Sequence, residues 1–223
     1  MSASEPKRAQ RACPVGEAHC PWLDELDTLH RRLDRLSQEV RTDALTGLYN
    51  YRHFRETLEQ ELERSRRQGT PVSLVMADLD HFKRFNDRWG HEAGNTVLVA
   101  VAACLRRAVR RIDSVCRYGG EELAVILPGA PLGLAVQVAE RLRREVAGLG
   151  VPFEGEVLRV TLSLGVAVFP AKGVEDAEAL VQRADAELYR AKEAGRDRVA
   201  HPPLIEVAPE SQVTPEEKRA LFE

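Results

Sequence analysis

Residues 112–127 constrain the fold of this chain more than any other stretch. Ile112-Asp113-Ser114-Val115-Cys116-Arg117-Tyr118 leads into Gly119-Gly120-Glu121-Glu122, and Leu123-Ala124-Val125-Ile126-Leu127 follows. Both flanking runs are short, apolar or β-branched, and bounded by turn residues or Pro128, so they read as two antiparallel strands joined by a tight turn. Paired glycines are expected to supply the positive φ of a two-residue turn and, lacking Cβ, to let a bulky anion approach the backbone. Glu121 and Glu122 then fall on opposite faces of the second strand. Taken alone, such a turn suits an ordinary hairpin as well as an acidic site.

A second segment sharpens the choice. Val72-Ser73-Leu74-Val75-Met76-Ala77 reads as a buried strand that runs into Asp78-Leu79-Asp80-His81-Phe82-Lys83, so carboxylates and a lysine gather at its carboxyl end. Alternation sets Asp78 and Asp80 on one side. With this strand beside the hairpin, Asp78 and Glu121 can share hard divalent cations, because Mg2+ favours one or two carboxylates, several waters and substrate phosphates. Two such ions about 3.5–4 Å apart activate an attacking hydroxyl and neutralise a leaving pyrophosphate.

Around these segments the pattern predicts helices near 51–67, 82–89, 94–109, 132–147 and 175–194, a strand over 71–78 and a strand-pair region over 153–169. Gly69-Thr70-Pro71, Pro128-Gly129-Ala130-Pro131 and Pro170-Ala171-Lys172-Gly173 break the elements. Strands with helices between them imply a mixed sheet covered by helices. The 223 residues accommodate one ordinary domain plus ends. A net charge of −3 gives no nucleic-acid or membrane-surface signature, so phosphate binding must come from local clusters. No apolar run reaches the roughly 18 residues of a membrane span. The first residues lack a signal-peptide core, which makes the cytoplasm the default expectation.

Four motifs in order give the chain a recognisable family resemblance. Asp43-Ala44-Leu45-Thr46-Gly47-Leu48-Tyr49-Asn50, the segment Asp78 to Gly94, the GGEEL signature at 119–123, and Ala184-Asp185-Ala186-Glu187-Leu188-Tyr189-Arg190-Ala191-Lys192 with Gly195-Arg196 together resemble a GGDEF domain, the family of diguanylate cyclases, over about residues 41–200. The resemblance implies an α+β fold: a ferredoxin-like, nucleotide-cyclase palm with a central, mostly antiparallel sheet covered by helices. It also implies condensation of two GTP into cyclic di-GMP and two pyrophosphates, by a homodimer in which each domain holds one substrate.

By the same resemblance Asp78, Glu121 and the Leu79 carbonyl bind Mg2+ or Mn2+, two ions per active site, and Glu122 supports the metal or the hydroxyl. Phe82, Lys83, Asn86, His91, Asn95, Lys192 and Arg196 match substrate-binding positions. Lys192 and Arg196, four apart at a predicted helix end, share one face as a phosphate grip. Arg110 and Asp113 resemble an R-x-x-D site for inhibitory product, with Arg141 as a partner position. One departure is informative. Asn95 stands where the family ordinarily has an aspartate that accepts from guanine N1–H and N2–H2, and a carboxamide offers one acceptor and one donor. Losing a hydrogen bond to a charged acceptor costs roughly 1.5–3 kcal/mol, about one to two orders of magnitude in preference. Relaxed purine selectivity, with ATP also used, is therefore one alternative reading. A catalytically inactive receptor for cyclic di-GMP is the other.

Outside the domain, residues 1–20 form a leader in which Cys13, His19 and Cys20 lie close in sequence; it reads either as loosely ordered chain or as a metal or redox site. Residues 21–42 form a helical stalk. Trp22, Leu26, Leu29, Leu33, Leu36 and Val40 recur at spacings of four and three, the seam of a short coiled coil or of an amphipathic helix packed on its own domain. Cys104 and Cys116 sit in apolar runs and read as reduced core thiols. The domain is expected over 43–201, and residues 202–223 form a tail whose Thr214-Pro215-Glu216-Glu217 opens a short helix over 215–222.

Overall fold

The structure, a computed structural model, describes residues 41–171 and 173–204 together with Glu25, Leu26, Thr28 and Leu29. Leu26 and Leu29 are helical and exposed. The other four seam residues, the Cys13/His19/Cys20 cluster and the terminal helix over 215–222 lie outside the described residues. Residues 42–204 belong to one compact unit.

In that unit, α1 (Tyr51–Gln68) precedes β1 (Val72–Leu79), α2 (Phe82–Trp89), α3 (His91–Ala108), β2 (Ser114–Arg117), β3 (Glu122–Pro128) and α4 (Leu132–Gly148). The small hairpin β4 (Val151–Phe153) and β5 (Glu156–Leu158), β6 (Leu162–Phe169), α5 (Ala177–Glu193) and β7 (Val199–Ala200) complete it. The main sheet has the order β2-β3-β1-β6-β7, antiparallel except for the parallel β6–β7 pair at one edge. Its first four strands have the ferredoxin-like arrangement, with β1 central. The predicted strand-pair region over 153–169 resolves into the separate β4–β5 hairpin and the long β6.

A sheet covered on one face would show alternating polarity, yet β1 is an unbroken buried run from Val72 to Ala77. Both faces are covered, and each has its own core. Val75, Ala77 and Leu79 pack with Val97, Val101 and Leu105 of α3 and Leu142 of α4. Leu74 and Met76 pack with Phe54, Leu58 and Leu62 of α1 and Leu180, Ala184 and Leu188 of α5. Cys104 and Cys116 are free and buried; burial pushes the Cys116 thiol up to about 12, so it stays protonated and inert.

The glycine turn differs from expectation. Neither Gly119 nor Gly120 has positive φ. Arg117 pairs with Leu123, and the amides of Tyr118 and Gly119 both donate to the Glu122 carbonyl at 2.8 and 3.2 Å, which makes a wider loop than a two-residue turn. Gly119 lies close under the Glu122 side chain: a Cβ there would lie 2.5 Å from Oε2, a side-chain end that can swing away. A positive φ, 83, occurs at Gly90, which ends α2 and turns directly into α3. Hence α3 starts at His91, three residues before the predicted start.

Candidate active site

The sheet register builds the acidic site. Asp78, at the end of β1, lies directly across from Glu122 on β3, so the second acid of the signature, and not the first, is its cross-strand partner. Glu121 precedes the strand, and its carbonyl accepts the Leu79 amide at 3.4 Å. Lys192, in the last turn of α5, reaches over and donates to Asp78 Oδ2 at 2.9 Å. Burial is the largest influence on Asp78 and pushes its carboxyl above the ordinary range; Lys192 opposes this, Asp80 adds to it and Arg196 opposes it. Burial likewise pushes Glu122 up, followed by the charge of Asp78, with Asp185 and Glu121 adding smaller repulsions.

Arg196 differs from its predicted setting. α5 ends at Glu193, and Gly195, Arg196 and Asp197 follow with φ of 113, 63 and 42. Arg196 therefore shares no helical face with Lys192, although its charge still reaches Asp78. Left-handed backbone at non-glycine residues costs on the order of 1–3 kcal/mol and persists where the surroundings impose it. Here the Arg196 amide is held by the Ala191 carbonyl at 3.1 Å and the Asp197 amide by Asp80. Rather than joining Asp78 at the site, Asp80 is buried and accepts from Thr161 Oγ1 and Ser163 Oγ, both at 2.6 Å, and from the Asp197 amide at 3.0 Å.

The opening motif holds the glycine loop in place. Asp43 accepts from the Thr46 amide and hydroxyl at 2.8 and 2.6 Å and from Arg117 Nη1 at 3.0 Å. The same guanidinium donates to the Gly119 and Gly120 carbonyls. Burial alone would raise the Asp43 pKa, but the hydrogen bonds from Thr46 and Arg117 outweigh it and hold the carboxyl below its ordinary value.

Beside the acids, α2 and α3 carry the other predicted substrate-binding residues. Phe82 is buried, while Lys83, His91 and Asn95 are exposed around it. Asn86 Oδ1 is buried without a hydrogen-bond partner among the described residues. A Cβ at Gly94 would lie 1.9 Å from that oxygen, so this glycine in the first turn of α3 makes room for the Asn86 amide. An orphaned buried carbonyl costs about 1–3 kcal/mol, and a ligand donor is the natural remedy.

Farther away, Arg110 and Asp113 bind each other: Arg110 Nη2 meets Asp113 Oδ1 at 2.8 Å, and Nε and the backbone amide reach Oδ2 at 3.2 and 2.9 Å. They border a cavity of about 440 Å³ shared with Arg106, Arg111 and Tyr49. Arg141 is exposed on α4 and is not among the residues lining it.

The described residues hold no cluster of three or more His, Cys, Asp or Glu side chains arranged for a metal. Even so, a pair of carboxylates kept from comfortable ionisation by burial and mutual repulsion suits a hard cation that takes its remaining ligands from water and phosphate. Asp185 was not anticipated as part of this acidic field; its one sequence sign is its place seven residues before Lys192, on the same face of α5.

The raised carboxyls have a stability consequence. A carboxyl whose folded pKa exceeds its unfolded value costs stability where it is ionised, and acidification relieves that cost. Glu122→Gln should therefore raise the Tm of the metal-free protein at neutral pH, on the order of 1–3 °C. The gain should vanish below the ordinary glutamate value of 4.5, where both states are protonated. Thermal melts across pH test this, and an unchanged or lowered Tm at pH 7 would contradict it.

Paired acids at the end of the central strand of a mixed sheet, with a lysine and an arginine beside them, mark a palm-type α+β domain. The chain belongs to the GGDEF family: the family model described as "Diguanylate cyclase, GGDEF domain" matches residues 40–198. It is 46% identical over 170 residues to diguanylate cyclase DgcP of Pseudomonas aeruginosa, covering 76% of this chain and 25% of that protein. It is 42% identical over 175 residues to response regulator PleD of Caulobacter vibrioides, covering 78% of this chain and 38% of that one. This chain thus spans well under half the length of these curated relatives. Its fold matches the crystal structure of the GGDEF domain of DgcB from Caulobacter crescentus in complex with c-di-GMP, with a TM-score of 0.69, 35% identity, and coverage of 72% of this chain and 92% of that one. No helix among the described residues is long and apolar enough to cross a membrane.

Proposed function

We propose that this protein is a diguanylate cyclase, condensing two GTP into cyclic di-GMP and two pyrophosphates. The observation that carries this reading is the Asp78–Glu122 pair beneath Lys192 at the end of β1. Asp78, Glu121 and the Leu79 carbonyl would hold Mg2+ or Mn2+, with Glu122 in support. Bound there, two such ions supply charge neutralisation for the α-phosphate and the leaving pyrophosphate.

The chain's own residues supply position. Lys192 leaves Asp78 and, with Lys83 and Arg196, grips the triphosphate; Phe82 and His91 border the nucleotide, and Asn86 and Asn95 meet the base. Phosphoryl transfer of this kind needs little covalent help from the protein, so alignment of two loaded domains carries the rate. A homodimer held by the stalk provides that alignment, and a rate per chain that falls on dilution would reveal its assembly. Mass spectrometry of the products formed from Mg2+, GTP and ATP tests the whole reading. Cyclic di-GMP supports it, and a folded protein that forms no dinucleotide would favour a receptor.

Asn95 supports a looser guanine pocket. Asn95→Asp should sharpen preference for GTP over ATP by about 10- to 100-fold, measured in competition at equal concentrations. An unchanged ratio would show that position 95 does not read the base.

Arg110, already oriented by Asp113, supports product inhibition, with Arg141 as a contact supplied from elsewhere in the assembly. Arg110→Ala should leave the initial rate near wild type and raise the inhibitory concentration of cyclic di-GMP by about tenfold or more, the loss expected for a charge-assisted pair. Initial-rate assays with added product decide it, and unchanged inhibition would remove the site.

A further inference from the structure

On the face of α2 away from Lys83 and Asn86 lies a larger cavity, of about 630 Å³, whose wall is strongly basic. Arg84 and Arg88 project into it from successive turns of α2, and Arg159 enters from the segment between β5 and β6. None of the three pairs with a carboxylate among the described residues: Arg88 lies over the Trp89 ring at 4.8 Å, and Arg159 makes one long bond, 3.5 Å, to the Gly148 carbonyl. Like charges one helical turn apart destabilise a helix, and the third arginine adds to the repulsion. Asp80 is the only acid lining the cavity, and its oxygens already accept from Thr161, Ser163 and Asp197. All three are exposed, and an anion bound in the cavity would supply the counter-charge that its lining lacks.

The wall is also aromatic. Trp89 and Phe85 line the cavity, and the Phe85 ring stacks on Phe82 with centroids 5.8 Å apart and planes 3° from parallel. His81, a third lining residue, has φ of 57 at the corner where β1 turns into α2. Occupancy of the cavity therefore bears, through Phe85, on Phe82, a predicted nucleotide-binding position.

We propose that this cavity is a second ligand site, for a phosphomonoester carried on an aromatic body of mononucleotide size. Guanidinium forks match phosphate oxygens bidentately and also stack on planar rings. The volume falls in the range of small-molecule sites. The proposal rests on this geometry and not on the cyclase reading.

With Trp22→Phe as background, Trp89 is the one tryptophan left in the full chain, and its fluorescence reports on the cavity. Titration with AMP and, separately, with phenyl phosphate should give a saturable change. The double variant Arg84→Ala/Arg159→Ala, shown to be folded by its circular dichroism melt, should weaken binding tenfold or more, whereas Asn86→Ala should leave it unchanged. Binding of AMP alone would mark a nucleotide site, and binding of both a general aromatic phosphate site. No saturable change with either, undiminished affinity in the double variant, loss in Asn86→Ala, or equal affinity for inorganic phosphate would each overturn the proposal.

Discussion

Asp78→Asn should abolish synthesis of cyclic di-GMP while leaving the domain folded. The substitution keeps the volume and the place of the side chain at the end of β1, but removes the negative charge that faces Lys192 and is proposed to hold the cation. Metal-assisted neutralisation supplies several kcal/mol of transition-state stabilisation, so turnover should fall on the order of 10³-fold or more. Glu121→Gln should behave alike. The measurement is product formed by chromatography at saturating GTP and Mg2+, beside a circular dichroism melt. Either variant retaining a tenth of wild-type turnover would exclude its carboxylate from the metal site.

Gly165→Val should cost the fold more than any surface substitution and damage the site indirectly. Gly165 lies on β6, where α5 crosses so closely that a Cβ would sit 2.1 Å from the Leu188 amide nitrogen and 2.2 Å from the Ala184 carbonyl oxygen. Both are backbone atoms and cannot rotate away, so the helix has to lift. Overpacking of this kind costs about 3 kcal/mol or more, a fall in Tm on the order of 6–12 °C for a domain of this size. Because α5 carries Lys192, the KM for GTP should rise as well. Gly133→Ala is the control: it lies in α4 with nothing within 4 Å of a new Cβ, and should be neutral or stabilising by several tenths of a kcal/mol. Comparable melting of the two variants would refute the close crossing.

The sequence made some of this legible and hid the rest for physical reasons. The unbroken apolar run of β1 and the alternation of strands and helices announce a sheet buried on both faces, and the carboxylates after that run mark its functional end. Partners distant in sequence are invisible until strands pair. Alternation groups Asp80 with Asp78, yet Thr161 and Ser163 draw Asp80 into the interior once β6 docks beside β1. Register, not spacing, sets Glu122 opposite Asp78. The clamp from Arg117 to Asp43 spans 74 residues, so neither motif predicts the other. Arg196 obeys the spacing of a helix face and misses it, because Gly195 ends the regular backbone two residues after α5.

The Asp80 carboxylate also bears on how a molecule of this protein comes into being. Its three bonds close segments separated by 81, 83 and 117 residues, and contacts of such long range form late and slowly. During synthesis β1 with Asp78 and the β2–β3 hairpin emerge first, while the turn at Asp197 emerges near the end of the domain. A nascent chain can therefore carry the whole GGEEL signature and still lack a working nucleotide site. Lys192 and Arg196 arrive only with the last helix and the turn that binds Asp80, so a domain cut off before that helix would keep Lys83 alone of the three cations proposed to grip a triphosphate.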